Sequence, residues 1–299
     1  MNKAEHFKSG FVAVVGRPNV GKSTMINALI GDKIAIVSDK AQTTRNRIIC
    51  VYTDEEKQIV FMDTPGVHKP KHKLGEFMVD AAIESLKETE AVLFVVAGNE
   101  KQGPGDNFII EQLKRVKVPV FLVVNKIDTL QKEQVLEAIV SYQDAYPFAG
   151  VIPISAKNKE NLSELLNVLG EHLPEGPQYF PEDMITDQPE RLIISDIVRE
   201  KILLSTRDEI PHAIAVDVDE MKTRDDGTTY IRATIYCERD SQKGIIIGNK
   251  GALLRKIGAE ARVDIQKLLA TKVYLDLWVK VKKDWRNKSG MLSELGYKK

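Results

Sequence analysis

The chain has 299 residues, 43% of them hydrophobic, with 43 basic and 43 acidic side chains and two cysteines. That length allows two domains with cores of their own, and a net charge of zero confines any nucleic-acid affinity to a local basic patch. Cys50 and Cys237 form neither a disulfide framework nor a metal-ligand spacing, the first ten residues lack a signal-peptide core, and no run approaches the roughly eighteen apolar residues of a membrane span, so a cytoplasmic location is expected.

The first half alternates short apolar runs with helical stretches. Residues 11–15, 59–62, 91–96, 118–124 and 151–154 read as strands buried on both faces, and Leu162, Leu165, Leu166 and Leu169 recur at helical spacing. This alternation predicts an α/β domain with a mostly parallel sheet flanked by helices, in which ligands gather at the carboxyl ends of the strands.

Directly after the first run comes Gly16, Arg17, Pro18, Asn19, Val20, Gly21, Lys22 and Ser23, with Thr24 next. The pattern is GxxxxGK[ST], and Met25, Ile26, Leu29 and Ile30 behind it predict a helix. Glycines there let backbone N–H groups curl around phosphate at a helix N-terminus. Lys22 is read as the charge on the β- and γ-phosphates and the Ser23 hydroxyl as a Mg²⁺ ligand. Residues 39–45 form a polar stretch suited to a mobile switch, and Thr44 is preferred over Thr43 as the residue that closes over Mg²⁺ and the γ-phosphate. Asp63, Thr64, Pro65 and Gly66 follow the second apolar run. Asp63 is placed near Mg²⁺, and the Gly66 N–H on the γ-phosphate. A second switch is expected from Gly66 to about Gly75, with His68 and His72 as solvated loop residues.

Asn125, Lys126 and Asp128 come after the run 118–124. A carboxylate at 128 can accept from N1–H and the 2-amino group of guanine. Adenine offers neither donor, so a buried Asp128 would reject it by roughly 10⁴-fold. Lys126 can lay its stem on the base, Asn125 can tie this loop to the phosphate loop, and Ser155, Ala156 and Lys157 suit a backbone donor to guanine O6. Val67 stands where a water-orienting glutamine would be useful, so intrinsic hydrolysis is expected to be slow. Asn19 is a candidate K⁺ ligand; bracing the loop is the competing role.

The prolines at 174, 177, 181 and 189 mark a boundary. Residues 1–175 are assigned to the nucleotide domain, 176–190 to a linker and 191–299 to a smaller α+β domain. The latter is expected to run helix, two strands, two helices and a strand. In the last strand Val273, Leu275, Leu277, Val279 and Val281 share one face. Between its middle helices lies a GxxG turn, Gly248, Asn249, Lys250 and Gly251, preceded by Ile246 and Ile247 and followed by Arg255 and Lys256. Such a turn grips single-stranded RNA by backbone approach, basic side chains on phosphate and an apolar groove for bases. Trp278 and Trp285 are read as stacking platforms or core residues.

Together these elements resemble the Era family of bacterial ribosome-assembly GTPases, within the TrmE-Era-EngA-like group. The resemblance rests on 16–23, 42–46, 63–66, 125–128 and the turn 248–251, and spans the whole chain. It implies a type II KH domain joined to the P-loop GTPase domain; GTP and GDP, Mg²⁺ and, through Asn19, a candidate K⁺ are the ligands expected from the residues. It also implies binding of the 3′ end of small-subunit rRNA, a role in maturation of the 30S subunit and peripheral association with the inner face of the membrane; a monomer is the expected state. A GTP-sensing RNA chaperone and a signalling GTPase with a protein partner are the alternatives.

Overall fold

The computed structural model describes residues 6–38, 40, 43–66 and 72–297. The described residues divide into two units, the first made of 6–35, 44–66 and 75–187 and the second of 36–38, 40, 43, 72–74 and 188–297, and each is described by itself.

The first unit is built on six strands: β1 (Lys8–Val15), β2 (Ile48–Thr53), β3 (Lys57–Asp63), β4 (Ala91–Ala97), β5 (Val120–Asn125) and β6 (Gly150–Pro153). Their order in the sheet is β2-β3-β1-β4-β5-β6, parallel throughout except for β2, which runs antiparallel to β3. Five helices accompany them: α1 (Lys22–Ile30), α2 (Lys73–Glu84), α3 (Pro104–Leu113), α4 (Lys132–Gln143) and α5 (Leu162–His172). The strand period of two sorts the side chains. Val12 and Val14 of β1 join Phe61, Leu93 and Val95 against Met25, Ile26, Leu165 and Leu169 on one face. Ala13 and Val15 join Phe94, Val96 and Leu122 against Ile109, Ile110, Leu113 and Tyr142 on the other. All seven residues of β4 are buried, as a strand covered on both faces requires.

The order in which strands are added switches from one side of β1 (β3) to the other (β4), the arrangement that opens a crevice at the carboxyl ends of the strands. β2 has no counterpart among the strands expected from sequence. It follows the polar stretch 39–45; Ile48, Cys50 and Val51 are buried and Ile49 packs on the opposite core from Ile48 and Cys50, so this short edge strand carries apolar residues on both faces.

Residues 174–187, most of which the sequence suggested as linker, are fixed to the first unit. The Gln58 side chain accepts from Tyr179 N–H and Phe180 N–H and donates to the Phe180 carbonyl. Val51 N–H donates to the Ile185 carbonyl at 2.9 Å, and the Thr186 hydroxyl donates to the Ile49 carbonyl at 2.7 Å. A buried glutamine satisfied on both ends of its amide explains why the segment is held although it is rich in proline.

The second unit contains α6 (Glu190–Ser205), α7 (Ile210–Ala213), β7 (Ala215–Thr223), β8 (Thr229–Cys237), α8 (Asp240–Ile247), α9 (Ala252–Leu269), β9 (Val273–Val281) and α10 (Ser289–Glu294). The sheet order is β7-β8-β9, with β7–β8 antiparallel and β8–β9 parallel. Ile194, Val198 and Ile202 of α6, Ile257, Ala261 and Ile265 of α9, and the odd-numbered face of β9 close one core. Trp285 is fully buried and its indole N–H donates to the Ala213 carbonyl at 2.9 Å, whereas Trp278 is exposed. Trp285 therefore takes the core role, and Trp278 lies on the surface. No helix among the described residues is long and apolar enough to cross a membrane. Cys50 and Cys237 are buried free thiols, each pushed up from its ordinary pKa chiefly by burial.

Candidate nucleotide site and RNA groove

The phosphate loop joins β1 to α1. Its two glycines serve different ends. Gly21 adopts φ +98°, the left-handed region, and a Cβ there would lie 2.2 Å from Asn125 Nδ2. Gly16 has no positive φ; it is needed because a Cβ would meet the Val95 carbonyl oxygen at 2.3 Å. The curl expected at both positions is required at Gly21, while at Gly16 the requirement is close packing on β4. Val20 is buried, Pro18 is half-buried, and Asn19 is exposed with φ +66°. Thr24 sits half-buried in the first turn of α1.

Lys22 is only 6% exposed, and its ammonium donates to the Gly16 and Arg17 carbonyls at 3.1 Å each. Burial lowers its pKa to about 8, with the Asp63 carboxylate opposing that shift. Asp63 ends β3 and is fully buried. Burial pushes its pKa up, against the pull of Lys22, Ser23, Thr44 and the Thr64 N–H. Asp63 Oδ2 accepts from the Ser23 hydroxyl at 2.7 Å and from the Thr44 hydroxyl at 3.3 Å, and the two hydroxyl oxygens lie 2.9 Å apart. Asp63 Oδ1 is buried without a hydrogen-bond partner. One buried carboxylate and the two hydroxyls gathered on its Oδ2 suit Mg²⁺, which takes few protein ligands and keeps water in its remaining positions. The Thr43 hydroxyl is instead engaged locally, by the Lys40 carbonyl at 2.6 Å and Ser38 Oγ at 2.8 Å.

Thr64 donates to the Val14 carbonyl at 2.7 Å, which holds the turn 63–66 beside β1. Pro65 is buried in that turn. A Cβ on Gly66 would lie 2.8 Å from Pro18, so that glycine lets the turn rest on the phosphate loop. Val67, Asp39, Gln42 and His68 lie outside the described residues. His72 is within them, paired with the Arg286 guanidinium at 3.0 Å rather than simply solvated.

Asn125 draws three loops together. Its Nδ2 donates to the Val20 carbonyl at 2.9 Å, and its Oδ1 accepts from Lys126 N–H at 2.8 Å and Ala156 N–H at 3.0 Å. Buried and satisfied at both ends, it ties the base-reading loop to the phosphate loop as the sequence suggested. Asp128 is exposed, not buried, and its Oδ1 accepts from the buried Ser155 hydroxyl at 2.6 Å. The burial expected of this carboxylate is therefore not provided by the protein itself. The Ala156 N–H is committed to Asn125, and that of Ser155 to the Glu160 carbonyl at 3.2 Å; Lys157 completes the turn on the surface.

In the second unit the GxxG turn joins α8 to α9. Gly248 (φ +72°), Lys250 (φ +48°) and Gly251 (φ +78°) have positive φ, and Asn249 and Lys250 are exposed at the tip. Exposed Arg255 donates to the Lys250 carbonyl at 2.9 Å and braces the turn; Lys256 is exposed beside it. A groove of about 550 Å³ runs from Gly251 along α9 and β9, walled by Leu254, Arg255, Ala259, Arg262, Tyr274 and Leu277. Ile246 is fully buried in the core and Ile247 packs against it, so neither forms this groove. For Ile246 helix geometry gives the reason: Gln242 and Ile246, four residues apart, share the inward stripe of α8, whereas Ile247 stays half-buried beside it. The groove's apolar wall comes from the next helix, where Gly258 faces Leu277 closely enough that a Cβ would sit 3.4 Å from it.

Residues 11–126 match the family model described as 50S ribosome-binding GTPase, and residues 209–286 match the KH domain model. Among solved structures, an Era variant from Aquifex aeolicus bound to GDP·AlF4⁻ is 43% identical with a TM-score of 0.94, covering 97% of this chain and 99% of that one. Era in complex with MgGDPNP and nucleotides 1506–1542 of 16S ribosomal RNA is also 43% identical, with a TM-score of 0.95 and coverage of 98% and 99%.

Proposed function

Because the chain belongs to the Era family of GTPases, we propose that it is a GTP-hydrolysing switch that grips the 3′ end of small-subunit rRNA and acts in maturation of that subunit. The observation that carries the reading is the convergence of the Ser23 and Thr44 hydroxyls on Asp63 Oδ2, with the Lys22 charge acting on the same carboxylate and its Oδ1 buried without a partner. The relative solved with MgGDPNP and a 16S rRNA segment supports the ligand classes.

In this reading the loop from Gly16 to Ser23 wraps the phosphates with N–H groups and Lys22 meets their charge. Ser23, Thr44 and Asp63 would hold Mg²⁺, which when bound would supply positive charge to offset the negative charge of the phosphates. The Gly66 N–H meets the γ-phosphate. Asp128 accepts the guanine N1–H and 2-amino protons, Lys126 lies along the base, and Asn125 keeps base and phosphate loops in step. Hydrolysis then proceeds by positioning and charge stabilisation, at an unassisted rate on the order of 10⁻⁴ to 10⁻² s⁻¹. Asn19, exposed at the loop tip, is the residue we assign to a K⁺ ion that supplements this charge. The turn 248–251 and the groove along α9 and β9 take single-stranded RNA. Action on the 30S subunit as a monomer, a cytoplasmic location and peripheral attachment to the inner membrane face belong to the same proposal and rest on the family resemblance.

The test is phosphate release from GTP with and without the 3′ terminal fragment of small-subunit rRNA, in K⁺ and in Na⁺, alongside ATP as competitor. Turnover stimulated by the fragment and by K⁺, and insensitive to ATP, is expected. Equal uptake of ATP and GTP, or a guanine preference that survives Asp128→Asn, would overturn the guanine assignment. Turnover indifferent to K⁺ removes Asn19 as its ligand.

A further inference from the structure

Arg17 is the second residue of the phosphate loop, yet its side chain is held by acids from outside every nucleotide-reading element. Its Nε donates to Asp106 Oδ1 at 2.9 Å, and its Nη2 lies 3.1 Å from Glu100 Oε2. The other Glu100 oxygen is 3.7 Å from the ammonium of Lys126, in the base-reading loop. The Asp106 side chain is wholly buried, and its second oxygen accepts from Gly103 N–H at 2.9 Å, capping α3. Gly105 leaves the room the arginine needs: a Cβ there would lie 2.9 Å from Arg17 Cδ. The Arg17 carbonyl meanwhile accepts from Lys22 Nζ. One residue thus has its side chain clamped to α3 and its carbonyl on the phosphate-binding ammonium.

We infer that Asp106 is a positioning residue for guanine-nucleotide binding: acting through Arg17, it holds the phosphate loop in place relative to the base-reading loop. The inference rests on the reading of 16–23 and 125–128 as the nucleotide site. A charge-assisted bond from a buried carboxylate is the strongest kind of side-chain anchor available to a loop, and losing one partner leaves the other buried and uncompensated. Glu100, more exposed and at longer range from Lys126, is the weaker link in the same chain.

Two substitutions separate this role from helix capping. Asp106→Asn keeps an amide oxygen for Gly103 N–H but loses the anionic acceptor for Arg17; Arg17→Gln leaves the cap untouched. Fluorescent GDP and GTP analogues are titrated against the full chain, with turnover at saturating GTP and thermal melts recorded in parallel. Each single variant is expected to weaken both nucleotides on the order of tenfold, the double variant no more than the worse single, with saturated turnover of Asp106→Asn within about twofold of wild type. Wild-type affinity in Asp106→Asn, or losses that multiply in the double, overturns the inference. Should the melt show Arg17→Gln unfolded, Asp106→Asn alone decides. Lys22→Ala in the same titration separates the two readings: if it binds normally, the nucleotide site is wrongly placed, whereas if it fails to bind while Asp106→Asn binds fully, only the anchoring role falls.

Discussion

Adding one methyl group at Gly21 should cost this protein its nucleotide. The new Cβ of Gly21→Ala would stand 2.2 Å from Asn125 Nδ2 and would hold an L-residue at φ +98°. Two penalties follow. The left-handed backbone costs about 1–2 kcal/mol for alanine. Pushing Asn125 away from the Val20 carbonyl leaves buried polar groups unpaired, worth about 1–3 kcal/mol. Together they amount to about 2–5 kcal/mol, or roughly 30- to 4,000-fold in affinity if the displaced loops must return before nucleotide binds. Gly31 is the internal control, because it has φ +87° but nothing within 4 Å of its added Cβ. Gly31→Ala should lower the melting temperature by the backbone penalty alone and leave the affinity for a fluorescent GDP analogue unchanged. Because the clash is with one side chain, Gly21→Ala combined with Asn125→Ala should bind little worse than Asn125→Ala. Titration of all four proteins settles the point: a Gly21→Ala affinity within about threefold of wild type, or an equal loss at Gly31, refutes the steric reasoning.

Three further outcomes are expected. Thr44→Ala should abolish the Mg²⁺ dependence of GTP affinity while Thr43→Ala preserves it, read by titration with and without a chelator. Lys22 has a folded pKa lowered to about 8, so its charged form is disfavoured by folding and the nucleotide-free protein gains stability as pH rises from about 8 towards 10.5. Phosphate needs the protonated amine, so affinity for GDP should be flat below pH 8 and fall above it; Lys22→Met should show neither trend. Arg262→Glu, on the wall of the α9–β9 groove, should weaken binding of a single-stranded rRNA fragment on the order of tenfold and reduce the salt slope by about 1, with nucleotide affinity unchanged.

Local chemistry was legible from the residues themselves. The glycine-bearing turn before Lys22, the Asn125 and Asp128 spacing and the GxxG turn each announce a backbone shape and a charge that few other roles require. What escaped the sequence depends on partners distant along the chain. Gly16 is fixed by the Val95 carbonyl, and the exposure of Asp128 by what surrounds its loop. Arg17 and Asp106 are 89 residues apart, and nothing in either stretch points to the other. The groove illustrates a different limit. Apolar residues next to the GxxG turn satisfy two descriptions, lining and core, and only the stripe shared by Gln242 and Ile246 decides for the core.

The segment that closes over β2 has a practical corollary for anyone dissecting the molecule. An open strand edge is a template for a neighbouring chain, and here Ile185 and Thr186 occupy it from within like the hem of a cloth. A fragment ended at residue 175, where composition suggests the cut, would leave that selvedge raw and prone to self-association. One ended at 187 would keep it sewn.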